Sequence, residues 1–149
     1  MIAFLVLVLA LAALIISLYF TFAYYGRVKK FRWVPEILCA REGSSCVTVV
    51  QTPYARVFGV PNSLLGIPYY LALVGWTLGG DRLRSTYIHL GSLVLGSTDL
   101  LIAASGAAVL LGIYLIYALR RKLHVDCPLC YTAHAINATL LVLLIVLAF

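Results

Sequence analysis

Polar side chains are confined to a few short stretches of this 149-residue chain, and the apolar runs between them set its architecture. The first run, Met1 to Tyr25, contains no charged residue and as a helix would measure about 37 Å, enough to cross a hydrocarbon core of about 30 Å with some tilt. A secretory leader would need a basic segment at its start and a shorter apolar stretch, and neither is present. The second run, Asn62 to Leu78, is near the minimum that can span, and Gly66, Pro68 and Gly75 predict a local kink in it. The third, Thr86 to Leu119, would reach about 50 Å as one helix, so it must overshoot the bilayer or break, most readily around Gly96 to Asp99. The fourth, Pro128 to Phe149, is uncharged and about 33 Å long.

The pattern predicts an all-α membrane protein, a single transmembrane domain over residues 1–149. It takes the form of a four-transmembrane-helix bundle with helices at about 1–25, 62–79, 86–119 and 128–149. Loop 27–61 joins the first two helices and carries Val49, Val50, Tyr54, Val57 and Phe58 among few charges in its second half. A loop this apolar is expected to lie in the interface and cap the mouth of the bundle. Tyr19, Phe20, Phe22, Tyr24 and Tyr25 fit an interfacial aromatic belt at the end of the first helix.

Hydrophobic residues make up 64% of the chain and charged ones 11%, which excludes a soluble domain of this size. Charge adds an orientation. Counting crossings puts loop 27–61, the Arg120 to Asp126 connection and the start of the fourth helix on one side, and the termini and the Gly79 to Ser85 turn on the other. Arg27, Lys29, Lys30, Arg32, Arg41, Arg56, Arg120, Arg121 and Lys122 share the first side, whereas the other holds only Arg82 and Arg84. Short loops rich in Lys and Arg stay in the cytoplasm, so the expectation is a multi-pass cell-membrane protein whose loop face is cytoplasmic. The alternative is that these cations bind lipid headgroups or favour thiolates on an outer face, where disulfide chemistry is commoner.

That face carries all the cysteines. Cys39 and Cys46 lie in loop 27–61, and Cys127-Pro128-Leu129-Cys130 opens the fourth helix. Pro128 suits a first helical position, where its missing N–H costs nothing, so Cys127 falls near the N-cap and Cys130 in the first turn. Backbone N–H groups, the helix dipole and the nearby Arg120, Arg121 and Lys122 favour a thiolate there, while Asp126 opposes it. A C-x-x-C pair so placed can close and reopen a disulfide. Four thiols gathered at one interface read as a redox relay; a zinc site made from all four is the rival, although the six residues between Cys39 and Cys46 exceed the usual spacing of a zinc knuckle.

The order of elements and motifs resembles the vitamin K epoxide reductase family, most of all its prokaryotic members, which act as quinone-linked disulfide generators. The resemblance rests on the two loop cysteines, the stretch Thr52 to Gly59 (TPYARVFG), Asn62-Ser63-Leu64-Leu65-Gly66 opening the second helix, and the C-P-L-C motif. It implies that Cys39 and Cys46 are a shuttle pair that takes electrons from a partner thiol. Cys127 then exchanges with Cys46, and Cys130 faces the quinone. Thr52 takes the place of a hydroxyl residue near the redox centre, and Asn62 that of an asparagine that hydrogen-bonds a quinone oxygen in the animal enzymes. Those enzymes carry a tyrosine where this chain has His134, whose imidazole either donates to a quinone oxygen or bonds a neighbouring helix. The implied electron acceptor is a membrane quinone of the ubiquinone or menaquinone type. Many prokaryotic relatives carry a fused thioredoxin-like domain that this chain lacks, so a separate thioredoxin-like protein is the implied partner, alongside membrane lipid and with no nucleic acid.

Two further polar residues fall within the apolar runs. Asn137, about two turns after Cys130, either lines a quinone pocket or bonds another helix. Asp99 either relays protons or marks a break in the third run. The rival functions are a quinone or quinone-epoxide reductase whose purpose is quinone turnover, and the zinc-binding membrane protein.

Overall fold

The computed structural model describes residues 1–27, 45–80, 87–90 and 93–148. Helix α1 (Ile2–Tyr24) is followed by a short helix α2 (Ser45–Gln51), a single 3-10 turn (Pro53–Ala55) and a two-residue hairpin of β1 (Arg56–Val57) and β2 (Val60–Pro61). Helix α3 (Asn62–Leu78) comes next, then a second hairpin, β3 (Tyr87–Leu90) and β4 (Leu93–Gly96), helix α4 (Ser97–Ala118) and helix α5 (Pro128–Ala148). Loop 27–61 therefore has its own helix and hairpin. The hairpin tip, Phe58-Gly59, has positive φ at both residues, the backbone that a tight two-residue connection between twisted strands requires.

By length and composition, α1, α4 with its extension to Leu123, and α5 can each cross a membrane. Helix α3 has 17 residues, about 26 Å, and contains Pro68. The helix expected over 86–119 is corrected: it starts at Ser97, and residues 87–90 and 93–96 pair as antiparallel strands instead. A purely apolar run does not distinguish strand from helix by periodicity, and here Gly91-Ser92 and Gly96 interrupt it while Tyr87, Ile88 and Val94 favour a pleated backbone. The Asp99 carboxylate accepts a 3.0 Å hydrogen bond from the Gly96 N–H, which fastens the start of α4.

Helix α1 is the centre of the bundle, packing against α3 on one side and α5 on another, and α4 packs against α5. Close approach of α1 and α3 depends on small residues. A Cβ at Gly66 would lie 2.7 Å from Ser17 Oγ. With that space empty, Ser17 Oγ donates to the Ser63 carbonyl at 2.5 Å, and Thr21 Oγ1 is 3.2 Å from Ser63 Oγ. Interhelical packing in lipid relies on such small residues and hydrogen bonds, since hydrocarbon solvates leucine as well as a neighbouring helix does.

Two buried clusters mark the ends of the bundle. Val6, Ala10 and Ala13 of α1 meet Tyr70, Leu73 and Trp76 of α3, Leu101 of α4, and Leu140 and Leu144 of α5. At the opposite end, Phe20 and Ala23 meet Val49, Val50, Leu115, Leu119, Cys127 and Cys130. The end of α1, the end of α4, the start of α5 and helix α2 thus converge on the C-x-x-C motif.

Candidate active site

The approach to the motif is shaped by a change of helical pitch. After Ala118 the chain widens into a π turn, Leu119–Leu123, and ends at His124 in the left-handed region, with the Val125 N–H returning to the Leu119 carbonyl at 3.2 Å. This turn exposes Arg120, Arg121 and Lys122 while burying Leu119, and it redirects the chain so that Cys127 enters the core just before α5. Arg120 lies 5.6 Å from the Tyr131 ring centroid, and Tyr131 Oη donates to Asp126 Oδ1 at 3.1 Å. Those contacts brace the connection from outside. They also engage Asp126, the negative charge nearest the motif.

Cys127 and Cys130 are joined as a disulfide, with Cα atoms 5.3 Å apart. Pro128 takes the first position of α5, so the Cys130 N–H is an amide without an intrahelical acceptor. It donates to Cys127 Sγ at 3.3 Å. The two sulfurs have different surroundings. Cys127 is fully buried, whereas Cys130 lines a cavity of about 310 Å³.

That cavity lies among all four long helices and α2. Most of its wall is aliphatic, from α1, α2 and α4, and its polar groups are few: Ser17, Asn62, Ser63, Tyr69, Tyr70, His134 and Asn137. Along α5, Cys130, His134 and Asn137 are spaced i, i+4, i+7 and share one face. Buried Asn137 accepts at Oδ1 a 2.8 Å hydrogen bond from Tyr70 Oη. Ser105 Oγ donates to the Leu101 carbonyl at 2.7 Å, so the 2.7 Å contact between Tyr69 Oη and Ser105 Oγ has the tyrosine as donor. His134 lies against Gly112 of α4, and its Nδ1 is buried with no hydrogen-bond partner.

Of the residues expected at the site, Cys130, Asn62, His134 and Asn137 are brought to this one cavity. Cys127 lies directly behind it in the same apolar cluster. Thr52 does not line the cavity; it follows α2, and its hydroxyl donates to the Val49 carbonyl at 2.7 Å, tying the end of the helix that carries Val49 and Val50. Cys46 is the second residue of α2, one turn before Val49 and Val50. Cys39 lies outside the described residues. Tyr69, Tyr70, Ser63 and Ser17 were not anticipated. The adjacent tyrosines in an apolar segment carry the available signal, because a buried tyrosine hydroxyl needs a partner.

Among the described residues, no three His, Cys, Asp or Glu side chains converge as metal ligands would. The cavity's size and its apolar wall with a few placed polar groups fit a small hydrophobic ligand, and its position among helices of which three are long and apolar enough to cross a membrane fits one that arrives through lipid. No curated protein matches the chain. The vitamin K epoxide reductase family model matches residues 4–145, nearly the whole length, and the chain therefore belongs to that family of membrane-bound, quinone-linked thiol oxidoreductases and epoxide reductases.

Proposed function

We propose that this protein oxidises the dithiol of a thioredoxin-like partner and passes the electrons to a membrane quinone held in the cavity beside Cys130. The observation that carries the reading is the asymmetry of the disulfide: one sulfur is enclosed by the cluster containing α2, and the other borders an apolar cavity.

In this scheme the partner's thiolate attacks a disulfide between Cys39 and Cys46, forming a mixed disulfide. The partner's second thiol resolves it, and the partner leaves oxidised. Cys46 as thiolate then attacks Cys127 Sγ, and the bond between Cys127 and Cys130 breaks with Cys130 leaving as the thiolate. Support for this order comes from helix α2, which packs Val49 and Val50 into the cluster that encloses Cys127 and carries Cys46 one turn earlier. Cys39 displaces Cys127 from Cys46, which re-forms the shuttle disulfide and leaves Cys127 and Cys130 both reduced. Quinone, when bound, accepts two electrons and two protons as the bond between Cys127 and Cys130 closes again.

The chain's own groups hold and shield the ligand. Asn62 and His134 supply hydrogen bonds to its oxygens. Asn137 has its carbonyl oxygen occupied by Tyr70 and so has its N–H donors to offer a ligand in the cavity it lines. Helix α2 acts as the cap that keeps water out, with Thr52 securing its end. In the bilayer, α3 is the fourth span, completing one transmembrane domain over residues 1–149. The cysteine end faces the cytoplasm, supported by the exposed Arg27, Arg56, Arg120, Arg121 and Lys122 at that end of the bundle.

The test is quinone reduction by purified protein supplied with a reduced thioredoxin-like protein, in the native sequence and in Cys130→Ser. Native protein is expected to turn over, and Cys130→Ser to lose at least about a hundredfold in rate, the scale seen when a nucleophile is removed. Undiminished reduction by Cys130→Ser would overturn the reading.

A further inference from the structure

Gly112 lies in the middle of α4, buried, where glycine is less favourable than alanine by about 1 kcal/mol. Nothing in its backbone asks for glycine, since positive φ occurs among the described glycines only at Gly26, Gly59 and Gly80. Space explains it. A Cβ at residue 112 would lie 2.7 Å from His134 Nδ1, 3.0 Å from Cγ and 3.4 Å from Cβ of the same residue, and these are its three nearest neighbours. By contrast, a Cβ at Gly106 on the same helix would meet nothing within 4 Å. The His134 imidazole is therefore laid edge-on along the bare backbone of α4, one turn below Cys130.

We propose that Gly112 is the specificity-determining positioning residue of the quinone site: it seats the His134 ring against α4, which sets both the width of the cavity beside Cys130 and the direction of the ring's hydrogen bond. Nδ1 faces the helix backbone and has no partner, so the ring's useful polar atom is Nε2. The neutral tautomer protonated at Nε2 leaves Nδ1 as a bare lone pair against α4 and gives Nε2 an N–H to donate. A side chain at 112 would swing the imidazole off α4 into the cavity, narrowing it where the ligand's ring must pass the sulfur. The inference rests on the reading of His134 as a quinone contact.

The experiment is a double-mutant cycle on full-length protein in lipid nanodiscs, with Gly112→Ala, His134→Ala and the two combined, using ubiquinone and menaquinone analogues in turn. Two quantities are read: KM and kcat for each quinone, and the rate at which a dithiol reduces the Cys127–Cys130 disulfide with no quinone present. Gly112→Ala is expected to raise quinone KM about tenfold, and more for the bulkier two-ring menaquinone analogue, with disulfide reduction within twofold of native. In the His134→Ala background, where the imidazole is gone, the same substitution is expected to change KM less than twofold. The double variant also gives the answer if Gly112→Ala fails to fold, because room for the new methyl group then exists and folding is expected to return. A His134→Ala variant with native KM would overturn the reading of His134 itself. If His134→Ala raises KM and Gly112→Ala adds the same factor in both backgrounds, the quinone reading stands and the positioning role of Gly112 is refuted.

Discussion

The Cys130 amide points at the sulfur of Cys127 from 3.3 Å, so an N–H of the first turn of α5 serves the enclosed sulfur while the other sulfur borders the cavity. If the cavity holds the quinone as proposed, that amide and the positive end of the helix stabilise charge on Cys127 in the reduced protein, and the ligand shields Cys130. The expected outcome is differential protection from alkylation. In Cys127→Ser, a quinone at ten times its dissociation constant should slow alkylation of Cys130 about tenfold, following simple occupancy. In Cys130→Ser, the same quinone should change alkylation of Cys127 less than twofold. Mass spectrometry of each variant after timed exposure to a maleimide measures both, and equal protection of the two sulfurs would contradict the assignment.

Tyr70 and Asn137 form a buried hydrogen bond between α3 and α5 at cavity depth. Tyr70→Phe leaves the Asn137 carbonyl oxygen without its donor. Interhelical hydrogen bonds in membranes contribute about 0.6 kcal/mol on average and up to about 1.7, so the loss of stability is expected within that range. The larger effect is on function, since the amide is then free to turn its oxygen toward the ligand. Quinone KM should rise several-fold with little change in disulfide reduction. Equilibrium unfolding in mixed micelles gives the first quantity and steady-state kinetics the second.

Much of this site is written in local spacing. Cys130, His134 and Asn137 recur at i, i+4, i+7, so their common face follows from helical geometry, and Pro128 marks where the helix starts. The partners of those residues are not legible in the same way. Tyr70 is 67 residues from Asn137, and Gly112 meets His134 only because α4 and α5 pack together; no local pattern encodes that approach. The hairpin at 87–96 was hidden for a different reason. Its strands are mostly apolar and show no clean alternation, and such a segment fits a strand as well as a helix. The break itself was visible in Gly96 and Asp99.

Gly66 illustrates the same limit in the α1–α3 contact. Its missing side chain leaves room for Ser17 Oγ, which would sit 2.7 Å from an added Cβ. Because that oxygen also holds the Ser63 carbonyl, the serine cannot rotate away without losing a hydrogen bond. Gly66→Ala is therefore expected to cost about 1–3 kcal/mol through overpacking, offset in part by the better helix propensity of alanine. A combined Ser17→Ala and Gly66→Ala variant should recover part of the loss. Thermal unfolding of the three proteins in one detergent tests the order, and a Gly66→Ala protein as stable as the native one would refute the clash.

Asp99 allows a choice between a proton relay and a structural cap. Its carboxylate is exposed, accepts from the Gly96 N–H at 3.0 Å, and lies near the start of α4, while the cavity wall on that helix begins only at Ala104 and ends near Leu119 beside the sulfurs. A relay would have to bring protons from there to the ligand along the wall that α4 gives the cavity, Ala104, Ala107, Ala108, Leu111 and Leu115, none of which has a side-chain donor, and the neighbouring Ser105 hydroxyl already donates to the Leu101 carbonyl. The cap reading predicts that Asp99→Asn, whose amide oxygen can still accept from Gly96, stays close to native stability, and that Asp99→Ala loses about 0.5–2 kcal/mol. Both variants should reduce quinone at the native rate across the pH range in which the protein is folded. A fall in kcat for Asp99→Asn, with folding intact, would show that the carboxylate's proton matters and would return it to the reaction.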